Sequence, residues 1–248
     1  MLGSHGLEPQ YFAYVAIGIA VLILFGRTQL KIDRPMLRVD VFKNKQFLYG
    51  NILVMILNGT LIATASLLPM YLEDVLNQPA ITQAIVQLPG SVLVVVLAPI
   101  AGRYQDKHGA RRIVIFGFCF LTLASIGFSL LRINSAVLYV TLIYFVRMFG
   151  FGCVNMPTNS WAMKTLDDDI LNHATSINNT LRQVSAALST AIVMSIANFS
   201  TTHIFNAQNI DYVRADLLGL DIGFAFCVLF ALFGLVMSLI LFRKGKKF

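Results

Sequence analysis

Long apolar runs alternate along this chain with short polar stretches, and that alternation sets the first expectation. Seven apolar segments stand out, at 11–25, 47–71, 85–101, 113–131, 137–156, 181–199 and 222–242. Crossing the hydrocarbon of a bilayer takes roughly 20 helical residues, within a working range of about 17–25. Six segments meet that length, and the first does so only if it reaches back toward Leu7. Lipid offers backbone groups no hydrogen-bond partner, so apolar spans of this length predict α-helices. The pattern therefore predicts an all-α polytopic membrane protein with seven transmembrane helices. A leading helix (1–26) and a charged cytoplasmic loop (27–46) precede a six-helix bundle with a basic tail (47–248).

One polar stretch orients the rest. Gly102 to Arg112 is a heavily charged turn held between two apolar runs, and it carries Arg103, Lys107, Arg111 and Arg112. Cations in short loops favour the cytoplasmic side. Sixteen of the nineteen Lys and Arg fall on the side of that turn, against Arg132 and Arg214 opposite and Arg147 inside a segment. This split predicts a cytoplasmic C-terminus and, with seven crossings, an N-terminus outside. A chain that starts with an outside end and one marginal helix reads as the middle of a longer polypeptide. The outer connection from Ser200 to Asp221 is the longest, and its 204–220 part is a weak candidate for a surface helix.

Composition agrees with the bilayer as solvent. Hydrophobic residues make up 57% and charged residues 12% of the 248, where a soluble domain carries roughly 25% charged. A net charge of +7 would suggest nucleic acid in a soluble protein. Here membrane topology accounts for the cations, and no nucleic-acid partner is expected. Cys119, Cys153 and Cys227 lie in apolar runs without metal-ligand spacing and read as small hydrophobes. No HExxH, Walker loop, G-x-S-x-G or ligand cluster occurs, so no catalytic, cofactor or metal site is expected.

The polar groups inside the spans carry the candidate chemistry. Arg147 sits mid-segment, where an arginine costs roughly 2.5–3.5 kcal/mol on insertion scales. It reads as facing a bundle interior or a wet cavity, with snorkelling to an interface as the bland alternative. Asn51 and Asn58 share a helix face with Met55 and Ile62, either along a substrate path or as interhelical glue. Asn155 and Asn159 flank Pro157, and Pro89-Gly90 interrupts the third segment as broken transporter helices do. Ser185, Ala186, Ser189 and Ala191 supply small-residue spacing for close helix approach. All twelve acids fall in loops or at edges, which leaves no obvious intramembrane proton carrier.

Gly102-x-x-x-Asp106-x-x-Gly109-x-Arg111-Arg112 resembles the loop motif between the second and third helices of each half of major facilitator superfamily transporters. Arg147-x-x-Gly150-x-Gly152 is similar to the fourth-helix feature of that family. Asn179-Thr180-Leu181-Arg182-Gln183 and the leader from Pro35 to Asn44 resemble its fourteen-helix drug:proton antiporter branch. The resemblance covers 11–242 and corresponds to a C-terminal half plus one linker helix. It implies proton-driven export of small amphipathic compounds by two halves rocking about a midplane site, with an N-terminal six-helix half as partner. In that reading Arg147, Asn51, Asn58, Gln87 and Asn155 line the cavity. Gly102, Asp106, Gly109, Arg111 and Arg112 form a conformational-switch loop, in which Gly102 allows close helix approach and Asp106 caps a neighbouring helix. The alternative is a non-transporting membrane module that only pairs with a separate half.

Overall fold

The computed structural model describes residues 39–208 and 212–243, and these are helical throughout their main elements. The predicted leading helix and the basic residues after Arg243 lie outside the described residues. Six helices carry the fold: α1 (Lys45–Met70), α2 (Ile81–His108), α3 (Ala110–Phe128), α4 (Val137–Met163), α5 (Asp168–Gln208) and α6 (Tyr212–Arg243). All six are long and apolar enough to cross a membrane. The chain is an all-α, multi-pass membrane protein.

Each helix covers one predicted segment to within three residues, and most run beyond it, because hydropathy marks where lipid begins and not where helical hydrogen bonding stops. The charged turn is the clearest correction. Its residues continue α2 to His108, and α3 restarts at Ala110. Only Gly109 breaks the helix, at φ +80° and ψ 163°, a backbone region that is almost exclusively glycine's. The supposed outer connection is likewise mostly helix, with α5 running to Gln208 and α6 starting at Tyr212. No proline interrupts it, and Gly219 lets α6 close onto α5, with a Cβ there falling 2.7 Å from the Ala197 carbonyl. Residues 204–208 and 212–220 therefore belong to the ends of two spanning helices, not to a surface helix. Pro89 and Pro99 sit inside an unbroken α2, so the third segment is not interrupted.

At the start of the described residues the predicted loop gives way to structure. Val39–Lys43 is a 3-10 helix, and Asn44 caps α1 through its side-chain oxygen, which accepts from the Gln46 and Phe47 amides at 2.9 and 3.2 Å. The same side chain donates to Thr165 Oγ1 at 3.0 Å, and Gln46 donates to the Trp161 carbonyl at 2.6 Å. Val41 and Phe47 are buried there with Ala174 and Ile177. These ties put the beginning of α1, the end of α4 and the beginning of α5 at one end of the bundle. Alternation brings Gly109 and Arg243 to it too. This is the basic end.

Packing divides the helices into two layers. α1 lies between α4 and α5 and contacts both, while α2 packs along the far side of α4. Behind this row, α3 covers α4 and α6 covers α1 and α5. Leu53, Leu57, Phe118 and Val154 fill the basic half of the core. Leu67, Tyr71, Phe128 and Phe224 fill the other half, with Phe128 and Phe224 stacked at 5.5 Å. The predicted small-residue contact forms: Ser185 and Ser189 are buried and face Gly59 of α1. Along α2, by contrast, Ile81, Ile85, Leu88, Val92, Val95 and Ile100 are each more than half exposed.

Candidate functional site

Arg147 stands at mid-depth on α4 and is fully buried. Its guanidinium donates to Ser125 Oγ of α3 at 3.0 Å and to the Thr60 carbonyl of α1. Its carbon lies 5.9 Å from the Phe128 ring centroid, within cation–π range, and its Nε has no hydrogen-bond partner among the described residues. Arg147 thus faces the bundle interior, and the snorkelling alternative falls. It bridges α4 to α3 and α1 from within the core.

The helix crossing beside it explains how the backbone approaches so closely. A Cβ on Gly150 would sit 2.7 Å from the Gly117 carbonyl of α3 and 2.8 Å from the Leu121 amide. Gly152 faces Leu97 of α2 in the same way, at 3.2 Å. The two glycines after Arg147 therefore seat α4 between α2 and α3.

A second polar group lies toward the basic end, where α4 and α5 flank α1 and barely touch each other. Arg182 of α5 reaches across and donates to Asn155 Oδ1 of α4 at 3.0 Å. Asn159 donates to the same oxygen at 3.1 Å and to the Asn155 carbonyl at 2.7 Å. All three side chains are partly exposed, as a ligand-facing group must be. Next to it, Asn178 of α5 donates to Asn51 Oδ1 at 2.8 Å, and Asn51 donates to its own helix at Phe47. Asn51 is buried and fully engaged, so it acts as glue between α1 and α5. Asn58 is half-buried and bonds the Val54 carbonyl, and Gln87 is half-buried on α2. The structure joins Asn51 and Asn155 to α5 by hydrogen bonds, while Asn58 and Gln87 stay half-buried on α1 and α2.

Sequence reasoning had placed Arg182 among the loop cations and gave no role to Asn178, Thr60 or Ser125. The spacing of Asn178 and Arg182, four apart on one helix face, was the available signal. It also treated every acid as peripheral. Asp216 is instead inside α6, only 4% exposed, and accepts from Thr201 Oγ1 at 3.3 Å. Asp221 Oδ1 is enclosed without a hydrogen-bond partner among the described residues.

The motif residues at the basic end differ in their surroundings. Gly109 makes the expected turn. Gly102 has nothing within 4 Å of an added Cβ, so it mediates no close approach among the described residues. Asp106 is exposed on α2 and does not cap α3, whose N-cap Gly109 receives no side-chain hydrogen bond. Arg111 and Arg112 are exposed in the first turn of α3. Among the described residues no cluster of metal-ligating side chains occurs.

Comparison with known proteins gives consistent relatives. Residues 10–190 match the Major Facilitator Superfamily. The chain is 31% identical over 246 residues to the uncharacterized MFS-type transporter YcnB of Bacillus subtilis, covering 99% of this chain and 52% of that protein. It is 32% identical over 236 residues to the lincomycin resistance protein LmrB of Listeria monocytogenes, covering 94% and 50%. The riboflavin transporter RibZ of Clostridioides difficile is 29% identical over 236 residues, covering 93% and 51%. The chain thus spans about half the length of the curated relatives it matches.

Proposed function

Because the chain belongs to the major facilitator superfamily, a family of transporters and not enzymes, we propose that it forms the second half of a proton-coupled multidrug efflux transporter. Joined to an N-terminal six-helix half, it exports small amphipathic compounds. The basic end faces the cytoplasm, and the six described helices form the transporter's C-terminal half. The observation that supports this best is the Arg182–Asn155–Asn159 group, partly exposed in the gap between α4 and α5. Interior polar residues on spanning helices are costly in lipid and mark substrate paths. Names of relatives such as the lincomycin resistance protein and a multidrug resistance protein B homolog of Mycobacterium tuberculosis point to drug-sized substrates.

In this reading the α4–α5 gap opens onto the cavity with Asn58 and Gln87 along its walls, and Arg147 lies buried in the core behind it. The Gly102–Arg112 turn biases the inward against the outward state, a two-state rearrangement of rigid bundles. The experiment is efflux of a cationic dye by a full transporter containing this chain. Asn155→Leu is expected to slow efflux strongly, and Asp106→Asn to slow it while both variants still fold. Parent-level efflux in Asn155→Leu contradicts the site, and in Asp106→Asn the switch role. The coverage of about half of each relative also favours a second reading, a non-transporting module. An in-frame upstream sequence with six or seven further apolar runs decides for the transporter.

A further inference from the structure

α2 and α3 are separated by Gly109 alone, yet both pack on α4 far more than on each other. The wedge between them leaves a trough of about 490 Å³ at the basic end, within the range of about 300–1,000 Å³ usual for small-molecule sites. Leu97 and Ile100 of α2, Ile113 and Phe116 of α3, and Phe149 of α4 form its walls. Phe149 is braced by Phe120 at 5.0 Å and by Phe116 at 6.2 Å. Ile100 and Phe116 are 54% and 50% exposed, so the trough opens sideways, where a spanning helix meets hydrocarbon. Tyr104 and Arg112 are the lining residues with hydrogen-bonding side chains, beside the Cys153 thiol. Arg103, Lys107 and Arg111 are exposed at the same end, with Asp106 as the acid among them.

We propose that this trough binds an anionic glycerophospholipid, one acyl chain along the apolar walls and the phosphate at Arg112. The charge pattern selects this occupant. A small soluble anion has no use for the apolar walls, and a neutral lipid brings no net charge to the basic rim. Basic pockets between transmembrane helices bind acidic headgroups in this way, and the cytoplasmic leaflet is the anionic one. The site extends the orientation proposed above and is independent of whether the chain transports anything.

The test uses the full chain reconstituted in vesicles, with Phe116→Trp as a reporter read against the background of Trp161, the one native tryptophan. Dibrominated phosphatidylglycerol and dibrominated phosphatidylcholine serve as quenchers at equal mole fraction. An apparent preference of about five-fold for phosphatidylglycerol is expected, the worth of one basic contact at a membrane surface. Adding Arg112→Gln should abolish it. Equal quenching by both lipids, unchanged by Arg112→Gln, overturns the proposal. So does the absence of quenching by either, which means that protein covers the trough. If Phe116→Trp does not reconstitute, native mass spectrometry of the unmodified chain released from mixed bilayers decides. Retained phosphatidylglycerol that Arg112→Gln loses supports the site, and no retention overturns it.

Discussion

Arg147 brings a charge into the core with no carboxylate beside it among the described residues, and its neighbours do not depend on it. Ser125 already donates to the Leu121 carbonyl at 2.8 Å, and the Thr60 carbonyl accepts from Thr64 Oγ1 at 3.2 Å. Replacing a buried ion by an apolar side chain of similar volume is often neutral or stabilising, by about 1–4 kcal/mol. Arg147→Met is therefore expected to melt in detergent at or above the parent temperature, while the full transporter loses efflux. A lower melting temperature would assign Arg147 to structure alone. Arg147 was legible in the sequence because an arginine among apolar residues has no innocent placement. Arg182 and Asn178 were not, because hydropathy puts them at a span's edge. Only the packing of α5 on α1 shows that they reach Asn155 and Asn51.

Helix ends carry the lesson at the scale of elements. The six spans were legible from apolar length alone, but the eleven residues Gly102–Arg112 read as a loop because charge was taken for the end of helix. One residue, Gly109, is the actual break. Gly109→Ala is expected to cost about 1–3 kcal/mol through its backbone conformation. Gly102→Ala, mid-helix with an empty surrounding, is expected to gain about 0.5–1 kcal/mol in this chain. Thermal unfolding of the two variants checks both signs. At the α3–α4 crossing the space is full, so Gly150→Ala should cost about 1–3 kcal/mol by overpacking. An unchanged melting temperature there would mean that α3 and α4 stand further apart than described.

At the scale of the molecule, the row α2–α4–α1–α5 presents one broad side with half-buried polar groups, and α3 and α6 close the back. That layering follows from which helices pack together, information that no single segment of sequence contains. Long sequence separations join it, from Asn44 to Thr165 and from Asn51 to Asn178. The relatives are about twice as long, and in the proposed function a second six-helix bundle stands beside this one. Ethidium accumulation is the direct measurement, in cells expressing this chain alone, the first half of a relative alone, and both together. Lowered accumulation is expected only with both. Export by this chain alone would contradict it, as would undiminished accumulation when the two halves are both present in the membrane.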